Sequence, residues 1–336
     1  SALKNKKHVV TANKALIAKY GDQLSRIAER NKVNLEFEAS VCGGVPIIRS
    51  LKEGLIANKI SKIYGIFNGT SNYILSSMEN ENKSFQEVLT KAKTLGYAES
   101  NPSADLNGDD VSSKLKILSS LCFNSFLNKD IYVEGIKDID KTDIDNANKL
   151  GYKIKLLGFA ELLNNKIYQR VHPTLIKKNS YVASIDGVLN AVIIEGKPVG
   201  QSIIQGEGAG PAATTSALVS DISSILRGNI KFPFSISSKK RKKIRFEKID
   251  NRAFSAYLRF EVIDKPGVLS NITNIFSKNR VSIKRLVQNP DKNKKSSSII
   301  IVTHNSKDKY LKKIIREISR KGFIKSKPKL IRIDNI

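Results

Sequence analysis

Apolar residues along the chain recur with two spacings, and the places where one gives way to the other predict the elements. Ala2–Lys7 reads as the end of a helix and His8–Thr11 as a short buried strand. Asn13-Lys14 opens an apolar-periodic helix, Ala15 to Arg30, and Val33–Glu38 returns as a strand. This strand–helix–strand unit lacks a first half. A dinucleotide-binding fold opens with a strand and a glycine-rich turn that lets the backbone approach pyrophosphate, and no G-x-G-x-x-G precedes a helix here. Either the fold is not of that type, or the chain enters a Rossmann-type domain part-way through, with residues 1–38 as its C-terminal remnant and the phosphate-binding turn outside the 336 residues.

From Ala39 onward helices and strands mix. Pro46–Leu55, Thr70–Glu79, Phe85–Leu95 and Ala212–Ile225 read as helices. Ile60–Phe67, Lys153–Glu161, Lys166–Val171 and Asn190–Ile194 read as strands. Asp109–Cys122 is an amphipathic helix with Val111, Leu115, Leu118 and Cys122 on one face. Ser235–Asn251 reads as a charged linker. Strand Phe254–Ile263, helix Val268–Lys278, strands Val281–Val287 and Ser297–Thr303, helix Asp308–Lys321 and strand Lys329–Ile333 then follow the β-α-β-β-α-β order of the ferredoxin-like split unit. The chain is thus α/β, divided into 1–38, a second α/β domain at 39–230, a basic linker at 231–252 and a ferredoxin-like domain at 253–336.

Composition narrows the class. Apolar runs such as Ser298–Val302 and Ala191–Glu195 are too short to span a bilayer, and no basic stretch leads into an apolar core and a small-residue cleavage site. Cys42 and Cys122 form neither a disulfide framework nor a metal-ligand spacing, so a reducing, cytoplasmic setting is expected. The net charge is +27, and Gly228–Ile336 alone carries 29 lysines and arginines against 8 acids, including the run Lys239-Lys240-Arg241-Lys242-Lys243. Such a run can bind nucleic acid or simply be a solvated face. No aromatic ladder, RNP-like strand or zinc spacing accompanies it, which favours the solvated face.

The candidate chemistry lies between residues 96 and 114. Gly96-Tyr97-Ala98-Glu99 is followed by Asn101-Pro102, Asp105, Asp109-Asp110 and, one helical turn on, Lys114. Carboxylates can hold an ammonium group and orient a hydroxyl, and a lysine can move the hydroxyl proton. The same residues also suit a capped helix start with a surface ion pair. Val9-Val10-Thr11-Ala12-Asn13-Lys14 sets a second lysine at a strand's C-terminal end, where open α/β sheets bind ligands. Gly206-Glu207-Gly208-Ala209-Gly210 opens a helix of small residues, an arrangement suited to an anion or to close packing.

Taken together, HVVTANKALIA (8–18), FEASVCGGVPII (37–48), GIFNGTSNYIL (65–75), GYAESNPSADLNGDDVSSKLKIL (96–118), EGI (134–136), NAV (190–192) and GEGAGPAATTSALVSD (206–221) closely resemble the homoserine dehydrogenase family, in register from Ala2 to about Arg227. Asp264-Lys265-Pro266-Gly267-Val268-Leu269 resembles the ligand-facing turn of ACT domains. The resemblance implies reversible NAD- or NADP-dependent oxidation of L-homoserine to L-aspartate 4-semialdehyde, toward threonine and methionine. It makes 39–230 the catalytic and dimerisation domain and 253–336 an amino-acid-sensing domain, with threonine the expected effector and a homodimer or homotetramer the expected assembly. Lys114 falls on the family's acid/base lysine, and Lys14 on the lysine at the coenzyme–substrate junction. Glu99 and Asp110 fall on substrate-binding carboxylates, with Asp105 in support and Gly96 on the same loop. Gly210 falls on a coenzyme contact. Glu38, Val41, Gly43 and Val45 fall on mainly main-chain positions around a monovalent cation, Na+ or K+. Asp264, Gly267 and Val268 are the implied regulatory contacts. One departure is Asn101, where the family usually has Asp; it drops a charge and bears on substrate affinity. A second reading keeps only amino-acid binding, as a catalytically inactive regulatory protein.

Overall fold

Asn13 sets where the first long helix begins: its side-chain oxygen accepts from the Leu16 amide at 2.9 Å, and Lys32 closes the other end in the left-handed conformation. The structure is a computed structural model and describes residues 1–129, 131–291 and 296–336. In chain order the elements are β1 (Val9–Val10), α1 (Lys14–Asn31), β2 (Leu35–Glu36), α2 (Ile47–Arg49), β3 (Lys59–Ile66), α3 (Gly69–Asn80), α4 (Phe85–Thr94), α5 (Ser103–Asn107), α6 (Asp109–Cys122), β4 (Tyr132–Val133), α7 (Lys141–Lys149), β5 (Tyr152–Leu163), β6 (Lys166–Lys177), β7 (Leu189–Lys197), β8 (Gly200–Glu207) and α8 (Pro211–Leu226). The C-terminal third adds β9 (Arg245–Glu247), β10 (Ala253–Ile263), α9 (Val268–Lys278), β11 (Ile283–Asp291), β12 (Ser296–Thr303), β13 (Ser306–Lys307), α10 (Asp308–Ser319) and β14 (Lys329–Asp334).

β1 and β2 pair in parallel, Val9 with Leu35 and Val10 with Glu36, and α1 crosses between them with Ile17, Gly21, Ser25 and Ala28 buried. The next domain is an antiparallel sheet, β6-β5-β3-β7-β8. Its longest hairpin, β5–β6, turns through Asn164-Asn165, both at positive φ, as a two-residue turn between twisted strands requires. One face of this sheet carries α3, α6 and α7, where Val111, Leu115 and Leu118 join Ile63, Ile154 and Leu156 in a single core. α6 is buried on nearly every side, with Asp110 and Lys114 inside, which the one-faced pattern of its apolar residues does not suggest.

The C-terminal unit has the expected order and an antiparallel sheet, β11-β12-β10-β14. That sheet does not stop at its own edge. β14 pairs in parallel with β6, Arg332 opposite Thr174, so the two sheets form one continuous surface. The basic segment before it is docked rather than free. β9 lies parallel to the start of β6, and Arg241 is buried against Asp22 at 2.5 Å and Glu29 at 3.2 Å, over the Phe234 ring. Six elements go beyond the pattern-based expectation: α5, α7, β4, β8, β9 and β13. α7 has few apolar residues and rests on an Asp140–Asp143 capping box. β8 is an edge strand with alternate positions open to solvent, too glycine-rich to announce itself.

Candidate active site

Five chain segments converge on one cavity of about 660 Å³: the start of α1, the turn after β2, the β3–α3 junction, the loop through α5 into α6, and the β8–α8 turn. That volume is in the range of small-molecule and cofactor sites. Lys14, Gly43, Gly96, Glu99, Asp105, Asp110, Lys114 and Gly210 all line it, although they lie up to 196 positions apart.

The geometry is built around Asp110. α6 starts at Gly108, whose φ of +87° makes the sharp turn out of α5; a side chain there would press on Val133. The turn buries Asp110 in the first turn of α6. One carboxylate oxygen takes Lys14 Nζ at 2.9 Å. The other takes Lys114 Nζ at 2.8 Å and Asn68 Nδ2 at 2.9 Å. Burial pushes this carboxyl upward, but the two lysines and the Asn68 hydrogen bond outweigh it and bring it down to about 2. Lys114 is buried, donates to the Phe67 carbonyl at 2.7 Å as well, and is held above the ordinary lysine range: burial opposes its charge, and Asp110 more than restores it. Lys114 is therefore an ammonium at rest. Lys14 is its open counterpart, with 43% of its side chain accessible.

Asn68 organises the remainder, and reading the residues did not single it out. β3 ends at Ile66, and Asn68 then caps α3 through Oδ1, 2.8 Å from the Ser71 amide, while Nδ2 reaches Asp105 at 2.7 Å as well as Asp110. The visible signal was an Asn before Gly-Thr-Ser at a strand's end, which is a helix N-cap pattern. Asp105 is raised by burial and by the Asp110 charge, against the Asn68 hydrogen bond. Thr70 Oγ donates to the Tyr97 carbonyl at 2.6 Å and ties the 95–99 loop to α3. Glu99 stands exposed on the cavity wall with no ion pair among the described residues. Asn101 lies off the cavity; its side-chain oxygen accepts from the Ser103 hydroxyl at 2.6 Å, so its missing charge bears on the start of α5 rather than on the cavity wall.

The opposite wall is backbone. Gly44 donates to the Glu207 carbonyl at 2.9 Å, and added β-carbons on Gly43 and Gly44 would press on Gly208 and Glu207. Gly208 covers the buried Asn190 amide, and Gly210 opens onto empty space at φ +114° ahead of α8. A glycine wall beside a helix N-terminus leaves room for a flat or anionic group to approach the backbone closely. Glu38, Val41, Gly43 and Val45 share the turn after β2. The Glu38 carboxylate is taken by the amides of Ile48 at 2.8 Å and Arg49 at 2.7 Å, so it acts as the cap of α2. Among the described residues no cluster of three His, Cys, Asp or Glu side chains could hold a metal.

Asp264, Gly267 and Val268 border a separate cavity of about 440 Å³ between the end of β10 and the start of α9, with Gln288 and Ile299 behind.

A parallel βαβ unit flanks a mixed-charge cavity, and a ferredoxin-like domain follows it in the chain. The comparisons give the particular family. The homoserine dehydrogenase family model matches residues 46–223 and the ACT domain model residues 256–322. A homoserine dehydrogenase of Neisseria gonorrhoeae is 39% identical over 100% of this chain and 79% of its own length. The crystal structure of a homoserine dehydrogenase from Thiobacillus denitrificans superposes with a TM-score of 0.91 at 38% identity, covering 99% of this chain and 78% of that one. A hyperthermophilic archaeal homoserine dehydrogenase in complex with NADPH matches at a TM-score of 0.60 and 28% identity, over 69% of this chain and 67% of that one. The chain belongs to the homoserine dehydrogenase family, whose members are NAD(P)-dependent oxidoreductases, and it carries an ACT domain. Relatives named for the enzyme match along the whole chain, which favours the enzyme over a purely regulatory protein. No helix among the described residues is long and apolar enough to cross a membrane.

Proposed function

We propose that the chain catalyses the reversible NAD(P)-linked oxidation of L-homoserine to L-aspartate 4-semialdehyde, with Lys114 moving the hydroxyl proton. The observation that carries this reading is the buried Lys114 ammonium, clamped by Asp110 and the Phe67 carbonyl on the wall of a cavity that also holds Glu99, a carboxylate with no ion pair among the described residues. When bound, the nicotinamide coenzyme takes up or returns the hydride. In the oxidative direction Lys114 Nζ first loses its own proton to solvent and the free amine then takes the hydroxyl proton; in the reverse direction the ammonium gives its proton to the aldehyde oxygen. Its raised pKa suits the reductive direction at neutral pH. Glu99 receives the substrate ammonium. Asp110, with both oxygens already engaged, acts mainly by fixing the two lysines, and Asp105 supports Asn68. Lys14 and the Gly208–Gly210 wall border the coenzyme.

A monovalent cation at the turn from Glu38 to Val45 would rest on main-chain oxygens, since the Glu38 side chain is spent on α2. Replacing Na+ and K+ by a bulky organic cation should then raise KM for homoserine; an unchanged KM removes the cation. The Asp264–Val268 cavity is proposed as an amino-acid site, with threonine the first candidate. Calorimetric titration of the whole chain tests it, and no heat with threonine, methionine, lysine or isoleucine would end the sensor role. A homodimer through the 39–230 domain completes the reading and is tested by sedimentation. Assay of homoserine-dependent NAD(P) reduction tests the reaction itself: no turnover with homoserine overturns the reading.

A further inference from the structure

A second cavity, of about 580 Å³, lies at the seam where the ACT domain meets the substrate-facing loop. Its charge is one-sided. Lys137, Lys312, Arg316, Lys327 and Lys329 line it against two acids, Glu134 and Asp138. Both acids are already engaged, Glu134 by Arg332 at 2.8 Å and Asp138 by Lys327 at 2.7 Å. Lys312 is held by Asp250 at 2.8 Å and Asp308 at 3.0 Å. Lys137 and Arg316 are exposed and have no ion pair among the described residues. Uncompensated like charges around a concave surface raise the local potential and favour an anion. The floor is apolar, formed by Leu106, Ile139, Ile315 and Leu330, so the anion that fits carries an organic body.

The same floor touches the active site. Leu106 follows Asp105 on α5, and its carbonyl accepts from the Ile136 amide at 2.8 Å. Gly135 is pressed so closely on Leu106 and Asn107 that a β-carbon there would lie 2.0 Å from the Leu106 carbonyl. Arg332, fully buried, joins this loop to the ACT domain: it binds Glu134, the Tyr132 hydroxyl at 3.0 Å and Asp308 at 2.6 Å.

We propose that the seam cavity binds a small organic oxyanion, a carboxylate or phosphoryl compound, between Lys137 and Arg316, and that occupancy stiffens α5 beneath Asp105. This site is distinct from the Asp264–Val268 cavity, and its effect on substrate rests on the catalytic reading above, whereas its binding does not.

The test therefore reads binding and amide exchange, not turnover. Citrate and inorganic phosphate are titrated into the whole chain, into Lys137→Ala/Arg316→Ala and into the charge-matched control Lys239→Ala/Lys240→Ala. The expected result is binding by the parent chain and the control, at least about tenfold weaker binding by the seam variant, and slower amide exchange over 103–110 only where the probe binds. Citrate without phosphate assigns the carboxylate class, and phosphate without citrate the phosphoryl class. Equal weakening in the control, no binding of either probe, or binding that leaves exchange over 103–110 unchanged each overturns the proposal.

Discussion

At the scale of single residues, the site is a problem of charge balance around one buried carboxylate. Asp110 is stabilised as an anion only because Lys14, Lys114 and Asn68 all donate to it. A proton moved by a placed side chain is typically worth about 10²–10⁴-fold, so Lys114→Ala should lower kcat by that factor with little change in coenzyme affinity. Lys114→Arg should not restore it, because a guanidinium does not deprotonate in this range; normal kcat in the alanine variant would end the assignment. The pKa directions give a second test. Lys114 is raised, so kcat for oxidation should climb toward alkaline pH as the ammonium loses its proton, and the reductive rate should fall there. Asp110→Asn removes the charge that holds Lys114 up, and the alkaline limb should move to lower pH; a limb that stays in place would assign the titration elsewhere. Asp110 itself is depressed to about 2, so its contribution to stability is present above the unfolded value near 4 and is lost as pH falls toward 2, about 2 kcal/mol in all. Residue type and spacing alone left a capped helix start open at these positions; the family resemblance singled out Lys14, Lys114, Glu99, Asp105 and Asp110, and the cavity brings them together. Which carboxylate is free and which is spent could not be read, because it depends on a donor, Asn68, that approaches from another strand end.

At the scale of elements, the site is held by helix starts. α3, α5 and α6 all begin beside the cavity, and Asn68 joins them through one side chain that caps α3 and donates to Asp105 and Asp110. Asn68→Ala should cost about 1–2 kcal/mol for the cap alone and weaken homoserine binding by freeing both carboxylates. Asn68→Asp keeps the cap and places a third carboxylate against two others. Its folded-state pKa would be raised by its neighbours, so the destabilisation should be greatest above the raised value and shrink as pH falls toward the unfolded value near 4. Melting curves of the parent and Asn68→Asp should therefore converge between pH 8 and pH 5; a constant gap would show that shape rather than charge governs the position. Periodicity recovered α1, α4, α9 and α10 and most of the strands within a few residues, because each buries a single apolar face. It missed α5, α7, β4, β8, β9 and β13; of these, α7 rests on capping and β8 on pairing with β7 rather than on an apolar stripe.

At the scale of the whole molecule, the ACT domain is less separable than its sequence boundary suggests. Its sheet continues into the catalytic sheet through β14 and β6, and the seam carries buried charge pairs that cross it. Arg259 of β10 binds Asp143 of α7 at 2.8 Å, where Asp143 is fully buried, and Arg170 of β6 meets Asp334 of β14. Cutting the chain after residue 252 would leave β6 without its partner strand at 174–176 and Asp143 without its cation. Removing one partner of a buried pair costs roughly 3–5 kcal/mol, against a total stability for a domain of about 5–15 kcal/mol. Residues 1–252 should accordingly aggregate or lose cooperative melting, rather than persist as an enzyme freed from regulation. Gel filtration and thermal denaturation of that fragment decide the matter, and a monodisperse, cooperatively melting 1–252 would show the two units to be independent. A subtler pair of variants separates charge from connectivity. Arg259→Met alone strands Asp143 and should lower Tm sharply. Arg259→Met combined with Asp143→Leu removes both charges and should recover most of that loss, as apolar replacement of a whole buried pair often does. If the double variant is no more stable than the single one, the seam is held by strand pairing and packing rather than by its ions.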